Sequence, residues 1–388
     1  MVYGILKDRK EGECRVITTP TDAAAIIERG HRVIIERGAG EAAGFPDEKY
    51  KRLGVTLSTR EEIFSHADLV AKVKEFTSDE INLARKGQIL LGCLHPAANP
   101  EEVRALLESE CIAFTAEDSH RYGSPNCEAA GKMGALFGIE SMLTVNGGKG
   151  IYVGGLAAAP RMRALILGAG QVGEGALSVL HALGADCTVM DINLGILREM
   201  SYKYRGIDTA ISTVENIAAI LPKTDMVINC VKWQKERRDF LISRKMLSLL
   251  ERGSVIVDIS GDDPGAIETS HPTTLKSPRY TVDGVVHFCV SNIPSAVARS
   301  ASIAYSAEML PFVLSLLDLG VKGSCAENGY LRRSMTVYNG YLTHEETSAL
   351  QGIAWIRPEE VLGLKNGEYD IAPRQSKTRS DNTISLRM

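Results

Sequence analysis

A glycine-rich turn, GAGQVG at residues 168–173, is the strongest indication of chemistry in this 388-residue sequence. It follows a five-residue apolar strand and begins a predicted helix, which is the context that a dinucleotide-binding loop requires. Gly168 allows the tight turn, Gly170 lets the backbone approach a pyrophosphate, and Gly173 permits close packing of helix on strand. The helix N-terminus then presents unpaired N–H groups to the phosphates. The alternative is a glycine turn that serves only helix–strand packing.

An acidic residue at the end of the next predicted strand indicates which dinucleotide binds. Asp191 lies 21 residues beyond Gly170. A carboxylate in this position accepts hydrogen bonds from both hydroxyls of the adenosine ribose. The same carboxylate repels a 2′-phosphate, so the sequence predicts NAD rather than NADP as the cofactor.

Three polar residues in the first third of the chain lie next to apolar runs, where a purely hydrophobic core would not require them. Arg15 precedes an apolar run and a helix start, while Lys74 and His95 follow apolar runs that read as strands. Open α/β sheets build their sites at the carboxyl ends of strands, so these side chains are candidates for a site. Taken singly, each also fits an ordinary role: a surface arginine, a solvated lysine and a histidine in a turn.

The elements that position these residues form two sets of short strands alternating with helices. The first set comprises residues 3–6, 32–36, 69–73, 89–94 and 112–115, and the second comprises residues 163–167, 187–191, 226–230, 255–259 and 285–290. This alternation is typical of parallel sheets covered by helices on both faces. The predicted fold class is α/β, with two doubly wound, Rossmann-like domains. Residues 300–317 read as a helix that returns to the first domain.

Bulk properties exclude several classes of protein. A length of 388 residues fits two domains of about 150–200 residues each. The net charge of −4 gives no reason to propose nucleic acid as a partner, and no apolar run approaches the ~18–20 residues that span a bilayer. Eight cysteines without CxxC pairing predict free thiols in the cytoplasm rather than disulfides or a metal site.

Several motifs occur in an order that is far more specific than one glycine loop. They are GILKDRKEGECRVITTP, RGHRVIIERGAGEAAGF, ADLVAKVKE, GQILLGCLH, GADCTVMDIN, GSVIVDIS, ETSHPTT, VDGVVHFCVSNIPSAV and VYNGYLTHE. Together they resemble the alanine dehydrogenase family, which also includes the NAD-binding part of proton-translocating transhydrogenase. The resemblance covers roughly residues 1–360.

This resemblance implies a domain organisation. A substrate domain is formed by residues 1–125 and completed by residues 300–362, and an NAD-binding domain at residues 126–299 is inserted between them, with a cleft between the two. The resemblance also implies a homo-oligomer, a dimer or a hexamer. Residues 363–388 lack periodicity and are expected to form a flexible tail.

The resemblance further implies residue roles. Arg15 and Lys74 are expected to bind the substrate, and Lys74 is also expected to act in catalysis. His95 is expected to be the acid–base and Asp262 the second catalytic residue. A guanidinium suits a carboxylate, an ammonium stabilises charge on a carbonyl oxygen, and a histidine transfers protons near neutral pH. The contacts implied for the cofactor, besides the glycines, are Gln171, Val172, Asp191, Ser212, Val231, Cys127 and Ile293, and Asn292 is implied for the substrate.

The sequence as a whole predicts an NAD-dependent enzyme that interconverts a small L-amino acid and its 2-oxo acid. Two alternatives are an opine-type imine reductase, which joins a 2-oxo acid to an amino acid amine, and a catalytically silent NAD-binding regulatory module. Residues 232–238, KWQKERR, replace an apolar loop typical of the family. This basic segment is either a solvated loop at the entry to a helix or a sign of a substrate larger or more polar than alanine, with Trp233 either lining the pocket or lying in the core.

Overall fold

The computed structural model describes residues 1–119, 123–233, 237–261 and 265–365, which form two compact units. Among the described residues, unit 1 contains residues 1–124 and 297–365, and unit 2 contains residues 125–296. Asp262 and all but the first three residues of the predicted tail lie outside the described residues.

Unit 1 begins with a parallel sheet. Its elements are β1 (Val2–Ile5), α1 (Pro20–Glu28), β2 (Arg32–Glu36), α2 (Asp47–Lys51), β3 (Thr56–Ser58), α3 (Arg60–His66), β4 (Leu69–Ala71), α4 (Ser78–Ile81), β5 (Ile89–Gly92), α5 (Pro100–Glu108) and β6 (Ile112–Thr115). The strands stand in the order β3-β2-β1-β4-β5-β6 and all pair in parallel. This is the doubly wound order, and it reverses direction between β1 and β4.

Unit 2 repeats the arrangement. Its elements are α6 (Pro125–Ser141), β7 (Arg163–Leu167), α7 (Gln171–Ala182), β8 (Asp186–Asp191), α8 (Leu194–Lys203), β9 (Asp208–Ile211), α9 (Val214–Ile220), β10 (Met226–Asn229), β11 (Val255–Asp258), β12 (Arg279–Val282) and β13 (Val285–Phe288). The order β9-β8-β7-β10-β11-β13-β12 reverses between β7 and β10. The prediction of two doubly wound domains is therefore confirmed.

The chain then returns to unit 1. The elements are α10 (Ala298–Glu327), α11 (Gly329–Ser334), β14 (Met335–Tyr338), β15 (Tyr341–Leu342), α12 (Glu345–Gln351) and α13 (Pro358–Leu362). Helix α10 is broken at Gly320, which has a φ of 66°. Strand β14 extends the sheet by pairing with β6.

Three strands at the ends of the two sheets depart from the expected parallel pairing, because β12, β14 and β15 are antiparallel to their neighbours. Tight hairpins account for two of these antiparallel pairs, β12 with β13 and β14 with β15. Asp283 and Gly284 connect β12 to β13, and Asn339 and Gly340 connect β14 to β15, all four with positive φ. Asp-Gly and Asn-Gly pairs with positive φ are typical of two-residue β-hairpin turns, a local signal that the strand prediction did not use.

Both faces of the sheet in unit 1 are covered. Tyr3 and Ile5 belong to a core cluster that contains Phe312 of α10, whereas Val70 belongs to a second cluster that contains Phe64 of α3. Alternate residues of parallel strands thus contribute to two apolar layers, as expected for a sheet covered on both faces.

One helical stretch among the described residues, Ile293–Glu327, is long and apolar enough to cross a membrane by length and composition alone. This stretch differs from the expectation that no apolar run approaches the length that spans a bilayer. Within this stretch Tyr305, Met309 and Phe312 are buried in the core cluster of unit 1, which is the packing of a core helix.

Candidate active site

The candidate substrate residues of unit 1 lie beyond the carboxyl ends of its central strands. The chain that leaves β1 carries Arg15, the chain that leaves β4 carries Lys74, and the chain that leaves β5 carries His95. These strands are parallel neighbours, so their carboxyl ends meet at one edge of the sheet. The edge includes the point between β1 and β4 where the strand order reverses, and open α/β sheets bind ligands at such points.

The Arg15 guanidinium is buried and held in one orientation by an acidic neighbour. Its Nε donates to Oε1 of Glu13 at 2.8 Å, and its Nη2 donates to Oε2 at 2.6 Å. Burial acts to lower the pKa of Arg15, but the hydrogen bond and charge of Glu13 outweigh it and raise that pKa above its ordinary value. Glu13 therefore fixes the plane of the guanidinium and keeps it charged.

The two lysines that follow β4 have different roles. Lys72 is 1% exposed, and its Nζ lies 2.9 Å from Oε2 of Glu80, so it belongs to a buried ion pair. Lys74 is half-buried, and its backbone N–H donates to Oδ2 of Asp8 at 2.8 Å. Of the pair, Lys74 is the one available to the edge of the sheet.

His95 has a backbone conformation that L-residues rarely adopt, with a φ of 46° and a ψ of 51°. Its imidazole Nδ1 lies 2.7 Å from Oε1 of Glu117, and its Nε2 lies 4.0 Å from Oε1 of Glu75. The backbone N–H of His95 also donates to Glu117, at 3.0 Å. With the proton on Nδ1 directed at a carboxylate, Nε2 is the nitrogen that can exchange protons with a substrate.

Glu117, which sequence reasoning missed, belongs to this site. It follows β6, and its Oε2 accepts a hydrogen bond from the Thr115 hydroxyl. Burial acts to raise the pKa of Glu117, but the charge and hydrogen bond of His95 together with Thr115 lower it to about 2. The carboxylate is therefore ionised at neutral pH. A signal existed in the sequence, since Glu117 lies two residues after the predicted strand 112–115, at the same edge of the sheet as His95.

The Cys93 thiol is a common neighbour of these groups. The pKa of this thiol is raised to about 12, mainly by burial and also by the charge of Glu117, while the charges of Lys74 and Arg15 act to lower it. The charges of Glu117, Lys74 and Arg15 thus all act on this one thiol. The thiol Sγ lies 3.2 Å from the Tyr305 hydroxyl on α10, so the returning helix contributes to the same edge.

The glycine loop of unit 2 has the geometry that a pyrophosphate requires. Gly168 has a φ of 90°, and a Cβ at Gly173 would lie 1.8 Å from the carbonyl oxygen of Gly168. Gly170 is the N-cap of α7 and provides no side chain to the first N–H groups of the helix. Gln171 and Val172 form the first turn, whose backbone amides are placed to bind an anion. The residues present therefore fit a dinucleotide.

Asp191 is fixed beside this loop. Its Oδ2 accepts from the backbone N–H of Ala169 at 2.8 Å, and its Oδ1 accepts from that of Asn193 at 2.9 Å. The backbone N–H of Ser212 donates to the Asp191 carbonyl oxygen at 3.1 Å. The carboxylate thus has a set orientation next to the glycine loop, which fits the predicted contact with ribose hydroxyls.

The other predicted contacts of unit 2 occupy several elements. Val231 follows β10, and its Cγ2 would lie 3.3 Å from a Cβ at Gly168. Cys127 lies in the first turn of α6, and Asn292 and Ile293 are buried beyond the carboxyl end of β13. Among the described residues, no group of three or more His, Cys, Asp or Glu side chains is placed to hold a metal ion.

The family models decide what this chain is related to. The model described as alanine dehydrogenase/PNT, N-terminal domain, matches residues 4–131, and that of the C-terminal domain matches residues 134–345. The chain belongs to the alanine dehydrogenase/PNT family. The resemblance inferred from the motifs is therefore confirmed.

Relatives in this family match the chain over most of its length. Alanine dehydrogenase of Halomonas elongata is 34% identical over 371 residues, which cover 94% of this chain and 100% of the relative. Alanine dehydrogenase of Bacillus subtilis is 34% identical over 369 residues, or 93% of this chain and 98% of the relative. That of Mycobacterium tuberculosis strain H37Rv is 32% identical over 370 residues, or 93% and 100%.

Solved structures agree with this assignment. An L-alanine dehydrogenase superposes with a TM-score of 0.84 at 30% identity, covering 91% of this chain and 99% of that one. A transhydrogenase from Sinorhizobium meliloti has the same fold, with a TM-score of 0.73 at 21% identity and coverage of 89% and 99%. As a member of the alanine dehydrogenase/PNT family, the chain is an NAD-dependent oxidoreductase of the amino-acid dehydrogenase type. This assignment favours an enzyme over a catalytically silent module.

Proposed function

We propose that this enzyme interconverts a small L-amino acid and its 2-oxo acid, with Arg15, Lys74 and His95 binding and processing the substrate. The observation that carries the proposal is their placement at one edge of unit 1, with the His95 imidazole bonded to an ionised Glu117. The relatives named above are alanine dehydrogenases, which makes alanine the reference substrate.

Each side chain has a distinct task. The buried Arg15 guanidinium binds the substrate carboxylate, and Glu13 keeps its plane oriented for that contact. The Lys74 ammonium lies beside the carbonyl oxygen and stabilises the negative charge that develops there. NAD, when bound at the glycine loop of unit 2, supplies the acceptor for the hydride that leaves the substrate Cα.

His95 moves the protons. In the deamination direction, Nε2 takes a proton from the water that adds to the substrate iminium carbon, and it returns a proton when ammonia leaves. Glu117 keeps the other proton on Nδ1 and stabilises the imidazolium that forms, as a carboxylate does for a catalytic histidine in hydrolases. Asp262, assigned to a second catalytic role by resemblance, lies outside the described residues.

The test is an assay of NADH formation across a panel of L-amino acids, with His95→Ala as the comparison. We expect activity with small amino acids and a loss of about 10²–10⁴-fold in turnover for the variant, the usual range for a lost general acid–base. NAD affinity, measured by fluorescence, should be nearly unchanged. Normal turnover by His95→Ala would remove the histidine from the mechanism. A reverse reaction that prefers an amino acid amine to ammonia would instead indicate an opine-type reductase.

We also propose that the enzyme is a cytoplasmic homo-oligomer. All eight cysteines lie in the described residues and are free thiols, as expected in a reducing compartment.

Unit 2 exposes several apolar side chains within a short stretch, namely Leu143, Val145, Tyr152 and Leu156, and Val145 is 88% exposed. Exposed apolar surface of this kind is typical of a subunit interface. Val145→Glu should lower the mass measured by light scattering, whereas a wild-type monomer would contradict the proposal.

A further inference from the structure

We propose that Asp8 is a positioning residue of the substrate site, which holds Lys74 at the point where the strand order of unit 1 reverses. The proposal rests on the proposed role of Lys74. At this point β1 and β4 are parallel neighbours at which the strand order reverses, and open α/β sheets bind ligands beyond such points. Asp8 lies in the chain that follows β1 and bonds to the chain that follows β4.

The Asp8 side chain is nearly fully buried, with 2% exposure. Its Oδ2 accepts a hydrogen bond from the backbone N–H of Lys74 at 2.8 Å, across 66 residues of sequence. Its Oδ1 accepts from the backbone N–H of Lys10 at 3.3 Å and lies 3.8 Å from Nζ of Lys72. One carboxylate thus ties the main chain of the Arg15-bearing loop to the main chain of the Lys74-bearing segment.

A buried network of ion pairs is connected to Asp8 through Lys72. Lys72, which faces Asp8, is paired at 2.9 Å with Glu80, and Glu80 also pairs with Arg60. Arg60 bonds to Glu36 at 2.7 Å and to the carbonyl oxygen of Lys7 at 2.6 Å. Burial acts to lower the pKa of Lys72, and the Asp8 carboxylate acts against that. The charge of Asp8 is therefore compensated, and the residue before it is anchored as well.

A second link joins the same two segments. Nζ of Lys10 lies 3.3 Å from Oε1 of Glu75, and that oxygen lies 4.0 Å from Nε2 of His95. The loop after β1 is therefore tied to the chain after β4 at consecutive positions, through Asp8 at Lys74 and through Lys10 at Glu75. A shift of this loop would move Lys74 relative to His95. A displacement of about 1 Å in a catalytic group can lower the rate on the order of 10²-fold.

The opposite ends of the same two strands provide a matched control. At the amino end of β4, Oδ2 of Asp68 accepts from the backbone N–H of Val2 at 2.7 Å, also across 66 residues. Asp68 therefore joins β1 to β4 by the same kind of bond at the edge of the sheet away from the site. If Asp8 only stabilised the fold, removing either carboxylate would have the same consequence.

The experiment compares Asp8→Ala, Asp8→Asn, Asp68→Ala and Lys74→Ala in the full-length enzyme. Melting temperature, NAD affinity and the separate kcat and KM for the amino acid and the 2-oxo acid are measured. We expect Asp8→Ala to lower kcat/KM by about 10–100-fold, with kcat falling as well as KM rising, because a misplaced Lys74 weakens both binding and charge stabilisation. Asp8→Asn keeps one acceptor oxygen for the Lys74 N–H and should retain more activity.

The kinetic constants and melting temperatures of these variants distinguish a positioning role of Asp8 from a purely structural one. Asp68→Ala should lower the melting temperature while kcat and KM stay within about twofold of wild type. If Asp8→Ala and Asp8→Asn also change only the melting temperature while Lys74→Ala is inactive, then Asp8 is merely structural and the inference is wrong. If Lys74→Ala itself is fully active, the proposed function fails instead. Should Asp8→Ala not fold, Asp8→Asn against Asp68→Asn gives the same comparison.

Discussion

The imidazole Nδ1 of His95 lies 2.7 Å from Oε1 of Glu117, and the backbone N–H of His95 donates to the same oxygen at 3.0 Å. One carboxylate therefore orients both the ring and the main chain of the residue proposed as the acid–base. Because Glu117 lies 22 residues after His95 in the sequence, on the chain beyond the neighbouring strand, the pair exists only through the pairing of β5 with β6.

We predict that Glu117→Gln lowers turnover by about 10²–10⁴-fold, because an amide no longer fixes the proton on Nδ1 or stabilises the imidazolium. NAD affinity should be unaffected. The matched control is Asp118→Asn, since Oδ2 of Asp118 lies 2.8 Å from Nε2 of a different histidine, His344. Steady-state kinetics of both variants decide the matter, and equal effects of the two would show that Glu117 has no special relation to catalysis.

A second prediction concerns Asp191 and cofactor choice. We expect the wild-type enzyme to bind NAD more tightly than NADP, because a 2′-phosphate would lie beside the carboxylate. Asp191→Ala should narrow this difference by about 1–3 kcal/mol. Titration of each dinucleotide by fluorescence measures it, with Asp186→Ala, at the exposed start of the same strand, as the control. Equal or better use of NADP by the wild-type enzyme would contradict the assignment.

The third prediction concerns Glu102 and stability at alkaline pH. Burial, together with the charge of Glu75, raises the pKa of the Glu102 carboxyl from its ordinary 4.5 to about 9. Its Oε1 accepts the Phe76 N–H at 3.1 Å, and its buried Oε2 has no hydrogen-bond partner among the described residues. The carboxyl is thus protonated in the folded enzyme and ionised in the unfolded chain at neutral pH.

The direction in which the unfolding free energy changes with pH follows from the number of protons that the folded and unfolded states bind. A group with a raised pKa in the folded state contributes stability below the unfolded value of 4.5, and that contribution is lost as pH rises toward about 9. Relative to Glu102→Gln, the wild-type enzyme should lose on the order of 2–4 kcal/mol of unfolding free energy between pH ~5 and pH ~8. Urea unfolding at the two pH values measures this, and the adjacent exposed Glu101→Gln should show no such change. A difference between wild type and Glu102→Gln that does not vary with pH would refute the prediction.

The last prediction concerns the substrate and the segment 232–238. Part of this segment does not line a pocket: Trp233 is 4% exposed in a core cluster of unit 2, and the Arg237 guanidinium stacks 3.9 Å above its ring and pairs with Asp239. Lys235 lies outside the described residues. The prediction that alanine is not the preferred substrate therefore depends on Lys232 and Arg238.

We expect kcat/KM for L-alanine to be lower than that for a larger or more polar amino acid by about tenfold, which corresponds to ~1.4 kcal/mol. Lys232→Ala and Arg238→Ala should reduce this difference, whereas Arg244→Ala, whose exposed side chain pairs with Asp283, should not. If alanine, with ammonia in the reverse reaction, is preferred by tenfold or more, the segment has no part in substrate selection.

The sequence by itself determined the features that depend on neighbouring residues. The turn needs glycine at Gly168, which has a positive φ, and at Gly173, where a Cβ would lie 1.8 Å from the carbonyl oxygen of Gly168. The motif, with its flanking strand and helix, indicates both requirements in the sequence. The strands at residues 32–36, 112–115 and 163–167 match the structure at both ends, because apolar runs bounded by turn residues are local patterns. The placement of Arg15, Lys74 and His95 at strand ends follows from the same patterns.

The tertiary structure alone decided which side chains meet. Lys72 and Lys74 have similar sequence surroundings, yet one is buried against Glu80 and the other remains at the edge of the sheet. Glu117 and Asp8 join the site through bonds that span 22 and 66 residues. The packing of Trp233 in the core is another such outcome. These relationships depend on the order and register of strands far apart in the chain, and no periodicity along the sequence encodes a distance across a sheet.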